Sequence, residues 1–422
     1  MITLSKKTQS SIILAVTIGN ILEWYEIYLY IFWSPFIAQL FFNPESKANN
    51  LLYAFLLFAV GFLARPLGGV FFGRLGDRIG RKKALILSIT VMTIPTFLMG
   101  LLPTYAQIGV FSTLLLGILR ILQSFPGGGE LPGAFCYLYE SSNSNNRRFM
   151  TSWGAVGNQI GIILSIGECF LLEKLLTHEE LITWGWRISF LTGGLFGLFG
   201  FWLRSRLHET PLFVDMEKHK KFTKESVLDV IYRHKCGIAL GIMFCTIDAT
   251  GFYVLSALFP VYFERILGTS YSENLITTVL LLISTTIPLP FFGMLGDKLN
   301  NKMLMVTSAI GIIVLIYPLY YTILHSLFIL ASILGIAFIL CFTCITALIP
   351  YLLSSLFPTP IRFTCVGLSF NIVDSIIGGF TPALAIFLLS YTKNEYSFYW
   401  ILFVSAVISL YSYFHIRNAR HT

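Results

Sequence analysis

Twelve apolar runs, each long enough to cross a lipid bilayer, constrain this chain more than any other feature. A spanning helix takes about 20 predominantly apolar residues. Such runs lie near 12–41, 51–73, 84–102, 107–139, 149–173, 185–203, 236–263, 274–296, 303–323, 326–354, 362–391 and 395–416. Hydrocarbon offers no water to backbone N–H and C=O groups, so each run has to satisfy itself as a helix. Composition agrees: of 422 residues, 55% are hydrophobic and only 12% charged, and mean hydropathy is +0.75. Too few polar side chains remain to cover a water-soluble globule of this size. The expectation is an all-α polytopic membrane protein with twelve transmembrane helices.

Lysine and arginine set the expected orientation. With a cytoplasmic N-terminus, 22 of them fall in the first tail, the even-numbered loops and the C-terminus, including five between Arg74 and Lys83 and eight in 204–235. The other side holds five: Lys47, Lys174, Arg187, Arg265 and Lys393. Cations concentrate on the cytoplasmic side of membrane proteins, so both termini are expected inside. The net charge of +8 is then explained by topology and anionic lipid headgroups, with no nucleic-acid partner implied. Lys6 and Lys7 precede an apolar run too long for a cleaved signal peptide, so the first helix is expected to be retained. One long polar interruption divides the chain into residues 1–203, a linker 204–235, and residues 236–422, with six helical runs on either side. The basic stretch Asp215 to Glu225 suits a short helix on the membrane surface, and a solvated linker would look much the same.

The stretch FLARPLGGVFFGRLGDRIGRKKAL, Phe62 to Leu85, punctuates the first half. Gly69 and Gly73 form a GxxxG step that lets helix backbones approach closely in lipid, and Gly76 and Gly80 free the turn that follows. Topology explains Arg74, Arg78, Arg81, Lys82 and Lys83 but leaves Asp77 unexplained. Its simplest role is to cap the third helix and pair with Arg81 one turn on, worth about 1 kcal/mol. After the second run of the later half comes GMLGDKLNNK, Gly293 to Lys302, which keeps the glycine-to-aspartate spacing. The chain therefore carries an internal repeat.

The order Gly73, Asp77, Arg78, Gly80, Arg81, Lys82 resembles the loop between helices 2 and 3 of the major facilitator superfamily. Further stretches are similar to its metabolite:proton symporter family, the branch of proline/betaine, shikimate, citrate and 2-oxoglutarate carriers. They are Gly19-Asn20 with Glu23 to Glu26, Arg120 to Gln123 followed by Gly128-Gly129-Glu130, Gly185-Trp186-Arg187, Glu209-Thr210-Pro211-Leu212-Phe213, and Phe357 to Arg362 with Gly378-Gly379. Ser124, Pro126 and Asp374 depart from that pattern. The resemblance implies two six-helix bundles of the major facilitator fold, secondary transport by alternating access, no cofactor, a monomer, and a bacterial-type cytoplasmic (inner) membrane. It also implies that Asp77 meets the start of helix 11 at Arg362. Gly73, Asp77, Arg78, Gly80, Arg81 and Arg362 are then the residues of conformational gating.

Ionisable residues inside a membrane are expensive and are the default functional candidates. At ~1.5 Å per residue, Glu23 lies about 16 Å and Asp248 and Asp374 about 18 Å into their helices, with Arg120 about 20 Å from the outer end of its own. Glu23 and Asp248 have nearly the same offset in equivalent helices of the two repeats. Glu26 lies one turn from Glu23, and either of them could pair with Arg120 to neutralise it. Glu130, beyond Pro126 and the glycines, suits an inter-helix hydrogen bond near a kink, and Glu168 suits the rim. All seven histidines fall in loops or at ends, which leaves Glu23, Glu26, Asp248 and Asp374 as proton-coupling candidates. Arg120 stays charged and suits a carboxylate of the substrate. Tyr25 and Tyr253, with Trp24, Tyr28 and Phe252, stand beside these acids and could contact an ammonium through their faces. They could equally be packing.

The expected substrate-binding set is Glu23, Tyr25, Glu26, Arg120, Asp248, Tyr253 and Asp374. The chain shows no Walker loop, no HExxH and no paired CxxC, which argues against a pump or an enzyme. Its seven cysteines read as small core residues, with no metal site expected. Three classes remain: a proton-driven importer of a small polar metabolite, with an organic acid as the alternative substrate, a proton-driven drug exporter of the same fold, and a non-transporting membrane sensor or intramembrane enzyme. One arginine among several acids suits an amino acid or betaine better than a tricarboxylate. The expected partners are a small-molecule substrate, protons and membrane lipids.

Overall fold

The computed structural model describes residues 5–43, 47–223, 225–258, 271–325, 327–393, 396 and 399–419, and within these eleven helices are long and apolar enough to cross a membrane. They are α1 Lys6–Phe41, α2 Asn49–Ile79, α3 Arg81–Leu101, α4 Val110–Glu140, α5 Arg147–Leu175, α6 His178–Ser205, α7 Lys235–Ser256, α8 Leu275–Lys298, α9 Asn301–Leu324, α10 Ile329–Ser355 and α11 Thr359–Ala385. A shorter apolar helix, α12 Tyr399–His415, completes the expected order. The end of the seventh apolar run, with Arg265, and the terminal Arg420 lie outside the described residues.

The helices are built inside out relative to a soluble protein. On α4, Phe111, Leu114, Leu115, Ile118, Ile121 and Leu122 are exposed, while Ser112, Arg120, Gln123 and Ser124 are buried. The two sets alternate at helical spacing, so the apolar face meets lipid and the polar face is hidden among other helices. Beyond Pro126 the helix is buried on all sides as far as Glu140. Two described cysteines depart from the expected core role: Cys236 is exposed at the start of α7 and Cys341 is half-buried.

The chain forms two compact units. One comprises Met1–Ser141, Gly157–Thr223 and Thr359–Gly367, the other Ser142–Val156, Lys224–Pro358 and Leu368–Thr422. In the first, α3 packs on α4 and α6, α2 on α4, and α1 on α4 and α6. In the second, α9 packs on α10 and α12, and α7 on α12. The pairings of α3 with α4, α3 with α6 and α1 with α6 thus recur six helices later, as the repeated glycine–aspartate motif foretells. Two helices cross the division: the first turns of α5 belong to the second unit, and the first turns of α11 to the first.

The expected turn after Gly73 is much shorter than the sequence suggests. Helix α2 runs on through Arg74, Asp77 and Arg78 to Ile79, after a break at Ala64. Only Gly80 turns, at φ +107°, a conformation that strains any residue with a Cβ. Asp77 is therefore in the last turn of α2 and does not cap α3. Within 204–235, a short helix Pro211–Lys218 begins at Thr210, whose hydroxyl accepts from the Phe213 amide at 3.3 Å. A second, Val227–Arg233, starts in a capping box of Ser226 and Asp229.

Candidate functional site

In the first unit, α1 carries its acids one turn apart to two separate places. The Glu23 carboxylate meets Arg65 at 2.6 Å, both side chains fully withdrawn from solvent. Arg65 lies just past the break in α2, where its guanidinium also faces the rings of Phe62 at 5.0 Å and Trp24 at 5.9 Å. Glu26 is equally buried, but it accepts from Thr96 at 2.5 Å and from the Gln123 amide at 3.5 Å, and it makes no ion pair among the described residues.

Arg120 is the unusual member. It is fully buried on α4, one of its terminal nitrogens donates to Gln123, and its other two guanidinium nitrogens have no hydrogen-bond partner. The Tyr30 and Phe58 rings lie 4.4 and 4.9 Å from it. Their faces offset only part of the cost of burying a cation, each by about 0.5–2 kcal/mol. Neither Glu23 nor Glu26 pairs with it, which corrects that expectation. Arg120 reaches Glu26 only through Gln123, an arrangement that leaves a planar pair of donors for a carboxylate.

The second unit holds the other acids. Asp248 accepts from the Thr346 hydroxyl of α10 at 2.5 Å and makes no ion pair among the described residues. Asp374 is 4% exposed, and the two aspartates are close enough for their charges to interact. Asp374 lies in a π-helical turn, Val373–Gly378, a distortion that re-aims side chains and is common at functional sites. One turn on, Gly378 abuts the Tyr253 ring, which rests edge-on against Phe252 at 5.3 Å.

Around Gly80 the gating candidates converge. Asp77 accepts from the backbone amides of Phe363 and Thr364 at 3.1 and 2.9 Å and from the Thr364 hydroxyl at 2.7 Å. An anion there caps the first turn of α11 and meets its positive dipole end. Gly73 allows this approach, since a Cβ would lie 2.6 Å from the Thr364 Cα. Arg81 pairs with Asp77 at 3.3 Å and grips Glu140 at 2.9 and 3.0 Å, while Arg362 reaches Glu140 at 2.5 Å. Arg78 is exposed in the last turn of α2. The segment after α6 joins in: Thr210 donates to Glu140 at 2.7 Å, and Glu209 accepts from the Arg81 and Lys82 amides at 3.0 and 3.1 Å. Burial pushes the Glu209 carboxyl above its ordinary range, partly offset by those amides.

The second unit repeats this cap. Asp297 accepts from the Arg148 and Phe149 amides at the start of α5, at 2.9 and 3.0 Å, and a Cβ on Gly293 would lie 2.9 Å from the Phe149 Cα. Elsewhere, Glu130 pairs with Arg204 and accepts from Ser88 at 2.6 Å, the inter-helix role expected of it. Glu168 is half-buried and accepts from Tyr25 and from Thr192.

The sequence reading missed Arg65, Glu140 and Arg204. A subtraction finds the first: of 29 lysines and arginines, all but Arg65 and Arg120 fall at or near helix ends or in loops. Glu140 and Arg204 stand at helix ends, where charge usually means solvent, and nothing local marks them as buried.

Residues 12–235 match the family described as Sugar (and other) transporter. The chain is 32% identical over 409 residues to a proline/betaine transporter of Salmonella typhimurium, covering 94% of this chain and 81% of that protein. It is 32% identical over 397 residues to a citrate-proton symporter of Klebsiella pneumoniae, covering 93% and 88%. A putative proline/betaine transporter of Staphylococcus aureus is 33% identical over 424 residues, covering 98% and 90%. The fold is shared with the major facilitator superfamily proton:xylose symporter XylE bound to 6-bromo-6-deoxy-D-glucose, at a TM-score of 0.81 and 15% identity over 98% of this chain and 96% of that one.

Proposed function

The chain belongs to the sugar (and other) transporter family of the major facilitator superfamily, and from that premise we propose that it imports a small zwitterion, an amino acid or betaine, by proton symport. Arg120 carries this reading. A buried guanidinium with two unpartnered nitrogens and aromatic walls suits one carboxylate, whereas a tricarboxylate would call for more cations. The names of the proline/betaine relatives point the same way. The protein works as a monomer in a bacterial-type cytoplasmic membrane, with both termini inside, as the bias of lysine and arginine supports.

Uptake into proteoliposomes tests the substrate. With an imposed proton gradient, labelled proline or betaine is expected to accumulate and citrate is not. Accumulation of citrate alone would establish an organic-acid symporter instead, a reading that the Klebsiella relative favours.

Asp248 and Asp374 are the acids we assign to the coupled proton, with Glu23 and Glu26 as the alternatives. A neutral amide mimics a protonated acid, so Asp248→Asn or Asp374→Asn is expected to retain substrate exchange and lose uphill accumulation. Normal accumulation by both single variants would move the assignment to Glu23 and Glu26.

Alternating access needs a contact that exists in one state only. The Asp77 cap on α11 and the Asp297 cap on α5 suit that role, each joining a helix end to the first turns of a helix that continues into the other unit. Asp77→Asn keeps one acceptor oxygen but turns an N–H toward the α11 amides. It is expected to insert normally and transport poorly, with cysteine pairs placed across the ends of α2 and α11 crosslinking less. Transport lost only in step with membrane abundance would leave Asp77 a purely local cap.

A further inference from the structure

From Arg120 to Glu26 the hydrogen bonds all point the same way. Arg120 Nη1 donates to Gln123 Oε1, which fixes the side of that amide each neighbour meets. The Gln123 amide nitrogen is thereby turned to Thr96 Oγ1 at 2.7 Å and to Glu26 Oε2 at 3.5 Å, and the Thr96 hydroxyl donates to the same Glu26 oxygen at 2.5 Å. Open capacity is left at the two ends of this chain of bonds: Arg120 Nε and Nη2 as donors, and Glu26 Oε1 as an acceptor. Both residues are fully buried, on α4 and α1 of the same unit.

A pair kept for stability alone would close on itself. Direct contact offsets the desolvation of a buried cation and anion, as it does for Glu23 and Arg65 at 2.6 Å, one turn of α1 away. Here Gln123 stands between the charges and each keeps an unused hydrogen-bonding position, which is costly in a place without water. Donors at one end and an acceptor at the other complement a zwitterion. Its carboxylate takes the free Arg120 nitrogens, and an N–H of its ammonium takes Glu26 Oε1 and balances that acid's charge.

The neighbouring aromatic rings decide which ammonium fits. A quaternary ammonium has no N–H and is held by the faces of aromatic rings. The rings at this place already serve arginines: Tyr30 and Phe58 face Arg120, and Phe62 and Trp24 face Arg65. Tyr30 is fixed in that position by its hydroxyl, which donates to the Ala54 carbonyl at 3.0 Å. A trimethylammonium would set methyl groups against Glu26 Oε1 and leave that oxygen without a donor. A primary or secondary ammonium supplies one.

We propose that Arg120 and Glu26 are the two ends of one substrate site, spaced by Gln123, and that the site selects a primary or secondary amino acid and rejects a quaternary ammonium. Glu26 is then a specificity-determining residue that reads an N–H of the substrate. The inference rests on the zwitterion reading above and narrows it from amino acid or betaine to the amino acid.

The test is binding of proline, N-methylproline and N,N-dimethylproline to the purified full chain in detergent, at one neutral pH and with no gradient. All three are zwitterions with the same ring and carboxylate, and their nitrogens carry two, one and no N–H. A site that hydrogen-bonds an N–H rejects the analogue lacking it far more strongly than a pocket rejects one extra methyl, so proline and N-methylproline are expected to bind within about threefold of each other and N,N-dimethylproline about a hundredfold or more weaker. In Glu26→Gln the amide oxygen stays with Thr96 and Gln123 and the NH2 group faces the ligand. Proline is expected to fall there to the level of N,N-dimethylproline, with the unfolding temperature of the same preparation unchanged. Affinities within a few-fold across all three ligands in the parent overturn the inference and leave the zwitterion reading standing. An equal loss at each methylation, or a step that persists in Glu26→Gln, assigns the preference to bulk and overturns the role of Glu26. If none of the three binds and citrate does, the zwitterion reading falls and the inference falls with it.

Discussion

Glu140→Gln is expected to destabilise the purified protein by about 3–5 kcal/mol, the usual consequence of removing one partner from a buried ionic cluster. Glu140 is 3% exposed at the last residue of α4, and it is the anion shared by Arg81 and Arg362. Glutamine retains one acceptor oxygen but no charge, and two guanidinium groups are then left in a place with little water. Thermal unfolding in detergent measures the loss. Glu225→Gln is the control, since Glu225 is half-buried and its partner Arg233 exposed, a pair worth about 0–1 kcal/mol. Adding Arg362→Gln to Glu140→Gln should recover part of the stability, because it removes one of the stranded charges. Equal unfolding temperatures for Glu140→Gln and Glu225→Gln would show that the cluster does not carry the fold.

Arg120→Lys is expected to weaken zwitterion binding by about tenfold to a hundredfold, the worth of one charge-assisted hydrogen bond at ~1.5–3 kcal/mol. Lysine keeps the charge and loses the planar fork, so a bidentate carboxylate contact suffers where a simple charge requirement would not. Gln123 would also lose the partner that now ties it to Arg120. Isothermal binding with proline or betaine, beside an unfolding measurement, separates recognition from folding. Unchanged affinity in a stable Arg120→Lys protein would remove Arg120 from the substrate site and leave the aromatic cage as packing.

Much of the architecture was legible because lipid enforces a simple rule: a run of some twenty apolar residues has to be a helix. The repeat was legible from Gly73–Asp77 and Gly293–Asp297, whose caps on α11 and α5 match in detail. What could not be read was pairing. Glu23 has Arg65 and not Arg120 as its partner because α2 breaks at Ala64, and no one-dimensional spacing reports which way a side chain faces after a break. Asp77 was misplaced by one element because a stretch in which nine of the eleven residues from Gly73 to Lys83 are charged or glycine looks like a loop, whereas α2 holds its helix until Gly80. Glu168 looked like a rim residue by its distance from the helix end. That its carboxylate is held by Tyr25 and Thr192 follows from tertiary positions that spacing along one helix does not report.

The Glu140–Arg362 contact also has a bearing on biosynthesis. The two residues are 222 positions apart, an interval that a ribosome takes roughly ten to forty seconds to traverse at about 5–20 residues per second. Throughout that interval Asp77 is without the α11 amides, and the cluster of Glu140 and Arg81 is without its second arginine. The earlier unit therefore cannot finish folding when its own six helices have been inserted. Its last turns arrive only as Thr359–Gly367. Ribosomes stalled before residue 359 should expose a nascent chain whose α2 end remains sensitive to protease, and release of the next few residues should protect it.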